Sequence, residues 1–145
     1  MNNTESSFLT AYRGQFWGIR HWQQLDELWE KLIKNAQDPW YVYAVGDTPP
    51  NTPIQGEQLI KVLNELNILL RRDHDEDYCG IVYVDSAQTP SFIKVFDPNN
   101  LGSVCGSSGN PPLPGWVISK IPPINLPEAM PQPSGRRHWW QKLFA

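Results

Sequence analysis

Abundant cysteine, long apolar runs and an excess of basic residues are all missing from this chain of 145 residues. No apolar run approaches the ~18 residues of a membrane-spanning helix. Residues 1–7 lack the basic start and the apolar core of a secretory signal, so we expect a cytoplasmic protein. A formal net charge of −3 argues against a general nucleic-acid-binding protein. In an intracellular protein Cys79 and Cys105 are expected to stay free, and a redox pair would need their α-carbons within about 7 Å.

Motifs that determine a reaction type are also missing. The loop over residues 97–110 holds no lysine, which a phosphate-binding Gly-Lys-Ser/Thr loop requires. No second Cys/His pair completes a zinc pattern. The acidic turn over residues 73–77 lacks the glycine and the closing glutamate of a calcium loop. We therefore expect no metal ion and no cofactor, and the missing catalytic constellation favours a protein that is not an enzyme.

Apolar residues are plentiful, at 40% of the sequence against 19% charged residues. This composition is typical of a globular protein, and the length suits one domain. Eight of the 14 prolines lie between residues 111 and 133, where they oppose regular secondary structure. We predict one domain over residues 1–121, frayed at 1–11, a proline-rich extended linker over 122–134, and a tail peptide over 135–145.

Two stretches have the three-and-four spacing of apolar residues that is typical of an amphipathic helix. The first covers residues 22–34 and ends before Pro39. The second ends at Arg72, and Thr52 with Gln55 near its start matches a capping box. Both helices therefore have one apolar face to bury.

Short β-rich runs alternate with these helices, and two of them are joined as a hairpin. The runs cover residues 12–19, 40–45, 79–84, 92–96 and 116–121. The second run shows no alternation, which indicates burial on both faces and a central place in the sheet. The last run alternates and is predicted to lie at an edge. These elements predict an α/β (α+β) two-layer sandwich, in which a small mixed sheet of four to five strands packs against two helices.

The loop 97–110 is the first candidate site, because three glycines and three serines surround Cys105 there. Such a loop can present a nest of amide donors to an anion, or expose a thiolate. The candidate ligand-binding residues are Asp97, Asn99, Asn100, Ser103, Cys105, Ser107 and Ser108, with Asp47 and His74 expected nearby. The alternative function is thus a small-molecule, anion or metal-binding protein, or a thiol enzyme. The plainer interpretation is that the glycines only make turns.

The tail over residues 135–145 is the second candidate, with three fixed positive charges, no acidic residue and four large apolar side chains. Such a peptide can dock into a groove of a partner protein, fold back on its own acidic domain, or lie weakly on an anionic membrane. We predict a non-enzymatic accessory protein that docks a protein partner through this tail. The predicted anchors are Arg136, Arg137, Trp139, Trp140, Leu143 and Phe144.

Overall fold

The structure, a computed structural model, describes residues 3–99 and 112–130. In these ranges it contains four helices and five strands. In chain order they are α1 (Asn3–Tyr12), β1 (Trp17–Ile19), α2 (Trp22–Lys34), β2 (Tyr41–Ala44), α3 (Glu57–Asp73), β3 (Val82–Val84), β4 (Phe92–Val95), β5 (Trp116–Ser119) and α4 (Leu126–Ala129). The predicted α/β (α+β) class, with a sheet packed against two long helices, is confirmed, because α2 and α3 share one buried core with the sheet. A further layer, made by α1 and α4, covers the opposite face.

The five strands form one sheet in the order β1-β3-β4-β5-β2. All four pairings are antiparallel, which corrects the predicted mixed sheet. The antiparallel pairing follows from the connectivity, because β3, β4 and β5 form a meander. The connections that contain helices leave β1 and β2 at the two outer edges of this meander. The predicted hairpin of β3 and β4 is confirmed.

Two strand positions differ from the prediction. The central place predicted for residues 40–45 is wrong, because β2 pairs only with β5 and lies at an edge. Both faces of β2 are nevertheless covered, since Val42 packs toward α2 and α3 while Tyr43 is buried on the opposite face. The edge position predicted for β5 is wrong as well, because β5 lies between β4 and β2. Its polar Ser119 is buried, and the hydroxyl donates to the carbonyl of Ile121 at 2.8 Å.

Helices α2 and α3 bury the apolar stripes that the sequence predicts. The buried residues are Leu25, Leu28, Trp29 and Leu32 on α2, and Leu59, Leu63, Leu66 and Leu70 on α3. The predicted start of the second helix at Thr52 is wrong, because α3 begins at Glu57. Ile54 exchanges two backbone hydrogen bonds with Trp40, at 2.8 and 2.9 Å. This pairing holds the segment in an extended conformation beside β2, so it cannot join the helix.

The opposite face of the sheet has a buried cluster of its own. It consists of Phe8, Tyr12, Tyr43, Phe92, Val117 and Leu126. The frayed start predicted for residues 1–11 differs from the structure, in which Phe8 of α1 packs on Phe92 with ring centroids 5.2 Å apart. The linker predicted from residue 122 also begins within the packed domain, since Leu126 of α4 is fully buried. A sheet with apolar side chains on both faces needs cover on both, and α1 and α4 provide it.

Candidate functional site

Lys94 lies in the middle of the sheet, on strand β4. Side chains of a strand alternate between the two faces, and Ile93 and Val95 pack toward α2 and α3. Lys94 therefore projects from the opposite face. In the register of the sheet, Tyr83 of β3 lies beside Lys94, and Gly18 of β1 lies beside Tyr83. This row places an aromatic ring next to the lysine.

An open cavity of about 400 Å³ adjoins Lys94 on this face. Its described lining residues are Phe16, Gly80, Tyr83, Lys94, Phe96 and Pro112. The rings of Tyr83 and Phe96 meet edge to face, with centroids 5.6 Å apart. Gly18 allows the Tyr83 ring to approach β1, because a Cβ at this position would lie 3.1 Å from the ring. Aromatic rings and one ammonium group thus form the walls.

The ammonium group of Lys94 contacts two further rings. Its Nζ lies 3.9 Å from the ring centroid of Tyr12 and 4.1 Å from that of Phe16. Both distances fit cation–π contacts. Within residues 7–99 and 112–130, whose side chains are described, Lys94 makes no hydrogen bond and no ion pair. Residues 100–111 contain no aspartate or glutamate either.

Burial shifts the pKa values of Lys94 and Tyr12 in opposite directions. It lowers the pKa of Lys94 to about 8, because the ammonium loses hydration. It raises the pKa of Tyr12 to about 12, so this phenol stays neutral and supplies no negative charge near pH 7. At pH 7 the site therefore presents a half-buried positive charge between neutral rings.

Two of the predicted loop residues lie outside the lining of this cavity. Asp97 accepts a hydrogen bond from the backbone N–H of Asn99 at 2.9 Å, which closes a local turn. The side-chain amide of Asn99 donates to Asp73 at 3.0 Å. Asp73 also binds Arg72, and Arg72 together with Asn99 lowers the pKa of this carboxyl to about 2. Asn99 therefore ties the start of the loop to the end of α3.

The remaining predicted site residues lie outside the described residues. In the loop they are Asn100, Ser103, Cys105, Ser107 and Ser108, and in the tail they are Arg136, Arg137, Trp139, Trp140, Leu143 and Phe144. Their predicted roles stay predictions. Phe96 and Pro112, which lie on either side of the segment 100–111, both line the cavity. The described chain therefore resumes beside the cavity at Pro112.

Asp47 and His74, which we expected near the loop, do not line the cavity. Asp47 follows the edge strand β2, two strands away from β4. His74 packs between the rings of Trp22 and Tyr78, and its Nε2 hydrogen-bonds the carbonyl of Cys79 at 2.8 Å. Cys79 is fully buried, and burial raises the pKa of its thiol. These contacts give His74 and Cys79 structural roles.

Sequence reasoning missed the lysine site, although one signal was present. A single lysine interrupts the otherwise apolar run of residues 92–96. Within a strand this pattern fits a solvent-facing side chain as well as one held in an internal site. Only the rings of Tyr12, Phe16 and Tyr83, which the fold brings together from α1, the turn after it and β3, distinguish the two.

Comparisons with protein-family models, with curated proteins and with solved structures found no match. Within residues 3–99 and 112–130, no cluster of histidine, cysteine, aspartate and glutamate could hold a metal ion. No helix in those same ranges has the length and the hydropathy to cross a membrane. The functional proposal therefore rests on the geometry around Lys94.

Proposed function

We propose that this protein binds a small molecule with an apolar body and one anionic group, such as an aromatic or aliphatic carboxylate, in the cavity beside Lys94. The supporting observation is the ammonium group of Lys94, which lies between aromatic rings and has no anionic partner among the described side chains. The cavity volume of about 400 Å³ also suits a small ligand. Sites for small molecules typically enclose about 300–1,000 Å³.

The two parts of the site would recognise the two parts of such a ligand. The rings of Phe16, Tyr83 and Phe96 would cover its apolar body, and each Å² of apolar surface removed from water contributes about 25 cal/mol. Lys94 would pair with the anionic group, and a hydrogen bond to a charged group contributes about 1.5–3 kcal/mol. Because water screens a half-buried charge less than an exposed one, the position of Lys94 strengthens this attraction.

Two fluorescent probes of similar shape test the proposal. Anilinonaphthalene sulfonate has an anionic group, whereas N-phenyl-1-naphthylamine has the same rings and no charge. We expect both to bind the full chain saturably. Lys94→Met removes the charge and keeps an apolar side chain, so it should weaken binding of the sulfonate about tenfold, which corresponds to about 1.4 kcal/mol. Binding of the uncharged probe should stay the same or become tighter.

A matched control is Lys61→Met, which removes an exposed lysine from α3. This control should bind both probes like the native chain. Raising the pH from 7 to 9.5 should also weaken binding of the sulfonate alone, because Lys94, with its pKa of about 8, loses its charge in this range. If neither probe binds the folded native chain, or if both lysine variants weaken sulfonate binding equally, the proposal is wrong and Lys94 has only a structural cation–π role.

The tail remains a second proposal, supported by its composition. Of the twelve basic residues in the chain three lie in residues 135–145, whereas all fifteen acidic residues lie outside them. We propose that this peptide docks a protein partner in the cytoplasm. A chain that ends at Ser134 should lose the partner in a pulldown from cell extract and keep the thermal stability of the full chain. Unchanged co-purification of the partner would contradict this proposal without affecting the one for Lys94.

A further inference from the structure

A second concave surface lies at the other end of the sheet, between the last turn of α2 and the loop that joins β3 to β4. It encloses about 770 Å³. We refer to it as the basic groove, because the described residues of its lining include Lys31, Lys34 and Lys120 but only one acidic residue, Asp38. Trp40 also lines the groove. The groove thus has a local net charge of +2 in a chain whose formal net charge is −3.

The three lysines of the basic groove are incompletely neutralised. Lys31 donates a hydrogen bond to the backbone carbonyl of Ala87, in the loop that joins β3 to β4. Lys120 lies 3.9 Å from Asp38, a long ion pair between exposed side chains. Within the part of the chain that the structure describes, Lys34 has neither an ion pair nor a hydrogen bond from its side chain. Most of the positive charge therefore remains available to a ligand.

Helix electrostatics explain part of this arrangement. Lysines in the last turn of a helix offset the partial negative charge of its C-terminus, which accounts for Lys31 and Lys34 on α2. Lys120 follows the strand β5, so the charge of a helix C-terminus does not explain its position. Its Nζ lies 5.1 Å from the ring centroid of Trp40, and both residues line the groove. Three positive charges thus converge on one groove from two separate elements.

Trp40 gives a second, independent observation. The residue is only 2% exposed, and among the described residues its indole Nε1 has no hydrogen-bond acceptor. A buried donor without an acceptor is unfavourable, and such donors are rare in folded proteins. The nitrogen itself has almost no accessible surface, so a ligand oxygen reaches it only if neighbouring side chains shift. An anion in the groove would neutralise the lysines and, after such a shift, offer the indole an acceptor.

We propose that the basic groove binds the phosphate group of a small molecule. A phosphate oxyanion accepts hydrogen bonds in several directions at once, which suits Lys34 and Lys120, two separate lysines that line the groove together with Trp40. The ligand is a small molecule because the groove gathers only three of the twelve Lys and Arg residues of a chain with net charge −3, whereas nucleic-acid-binding proteins present an extended basic surface. This proposal does not depend on the Lys94 cavity, which lies at the other end of the sheet.

Nuclear magnetic resonance of the full, 15N-labelled chain tests the proposal with inorganic phosphate as the probe. Sodium chloride keeps the ionic strength constant during the titration. The indole N–H signal of Trp40, identified by its loss in Trp40→Phe, should move downfield and saturate, together with the backbone amides of Thr89 and Ser91. The backbone amide of Tyr83, beside the Lys94 cavity, should not move.

Variants connect the response to the groove. Lys34→Gln combined with Lys120→Gln should raise the Kd for phosphate at least about tenfold, because it removes two of the three cations that line the groove. Lys61→Gln, on the exposed side of α3, is the matched control and should leave the Kd unchanged. Shifts that never saturate, or that are the same in the double variant and the native chain, would show a general ionic effect and overturn the proposal. Sulfate in place of phosphate then reports whether the groove distinguishes the two oxyanions.

Discussion

Replacing Lys94 by methionine should stabilise the protein, and the gain should depend on pH. In the native chain burial lowers the pKa of Lys94 from 10.5 to about 8. A lysine whose pKa is lowered by folding binds fewer protons in the folded state than in the unfolded state. The free energy of unfolding therefore rises with pH between the folded-state and the unfolded-state pKa. Below about pH 8 the native chain therefore bears the full cost of the half-buried charge. Lys94→Met removes this cost.

The magnitude follows from the size of the shift, with a correction. Each pKa unit corresponds to about 1.36 kcal/mol, so the shift from 10.5 to about 8 sets an upper limit of ~3 kcal/mol. Solvent screens a half-buried ammonium, and the rings of Tyr12 and Phe16 stabilise the charged form. We therefore expect Lys94→Met to raise the free energy of unfolding by about 1–2 kcal/mol at pH 7.

Urea unfolding of both chains between pH 6 and pH 10 measures this difference. Groups common to both chains cancel in the comparison, including Tyr12, whose raised pKa makes both chains less stable above about pH 10. The gain from Lys94→Met should be constant up to about pH 7 and shrink steadily as the pH passes 8. A gain that is independent of pH, or a loss of stability at pH 7, would refute the claim that burial disfavours the charge of Lys94.

Three further substitutions test the packing on the face of the sheet opposite to α2 and α3. Phe8→Ala, at a fully buried position of α1, should lower the free energy of unfolding by about 3–5 kcal/mol in urea, whereas a frayed residue would give no change. Tyr43→Phe removes the hydroxyl that accepts the N–H of Leu126 at 3.1 Å and should cost about 1–2 kcal/mol, with faster hydrogen exchange at that amide. Gly18→Ala would place a Cβ 3.1 Å from the Tyr83 ring. It should push this ring into the cavity and weaken binding of both naphthalene probes, and unchanged affinity would show that the ring does not form the wall.

Local sequence patterns predicted the helices α2 and α3 and the hairpin that packs against them. The stripe of α2 and that of α3 each repeat within a few turns, and the hairpin of β3 and β4 is set by the short loop between them. The start of α3 was mispredicted because Thr52 and Gln55 fit a capping box locally. The backbone of Ile54 pairs instead with Trp40, a contact that no local pattern contains.

The cover on the second face was missed for a similar reason. Residues 1–11 have few apolar side chains, and Phe8 has a partner only because Phe92 projects from a distant strand. Leu126 lies in a proline-rich stretch whose composition favours an extended chain. Its side chain is buried by packing in the cluster that contains Tyr43 of the edge strand β2, and its N–H also donates to the Tyr43 hydroxyl. Short elements of this kind gain their stability from packing more than from their own propensity.

The sequence by itself determined the helices α2 and α3, the hairpin and the fold class, since periodicity and turn chemistry act over a few neighbouring residues. Only the tertiary structure decided which strands lie at the edges, because strand order depends on how the long connections cross the sheet. It also decided where a ligand could bind. Lys94 became a candidate site through the rings of Tyr12 and Phe16, which lie far away in the sequence, and Asn99 gained a hydrogen bond to the distant Asp73. Burial, charge and pKa are properties of those surroundings, which no local pattern in the chain specifies.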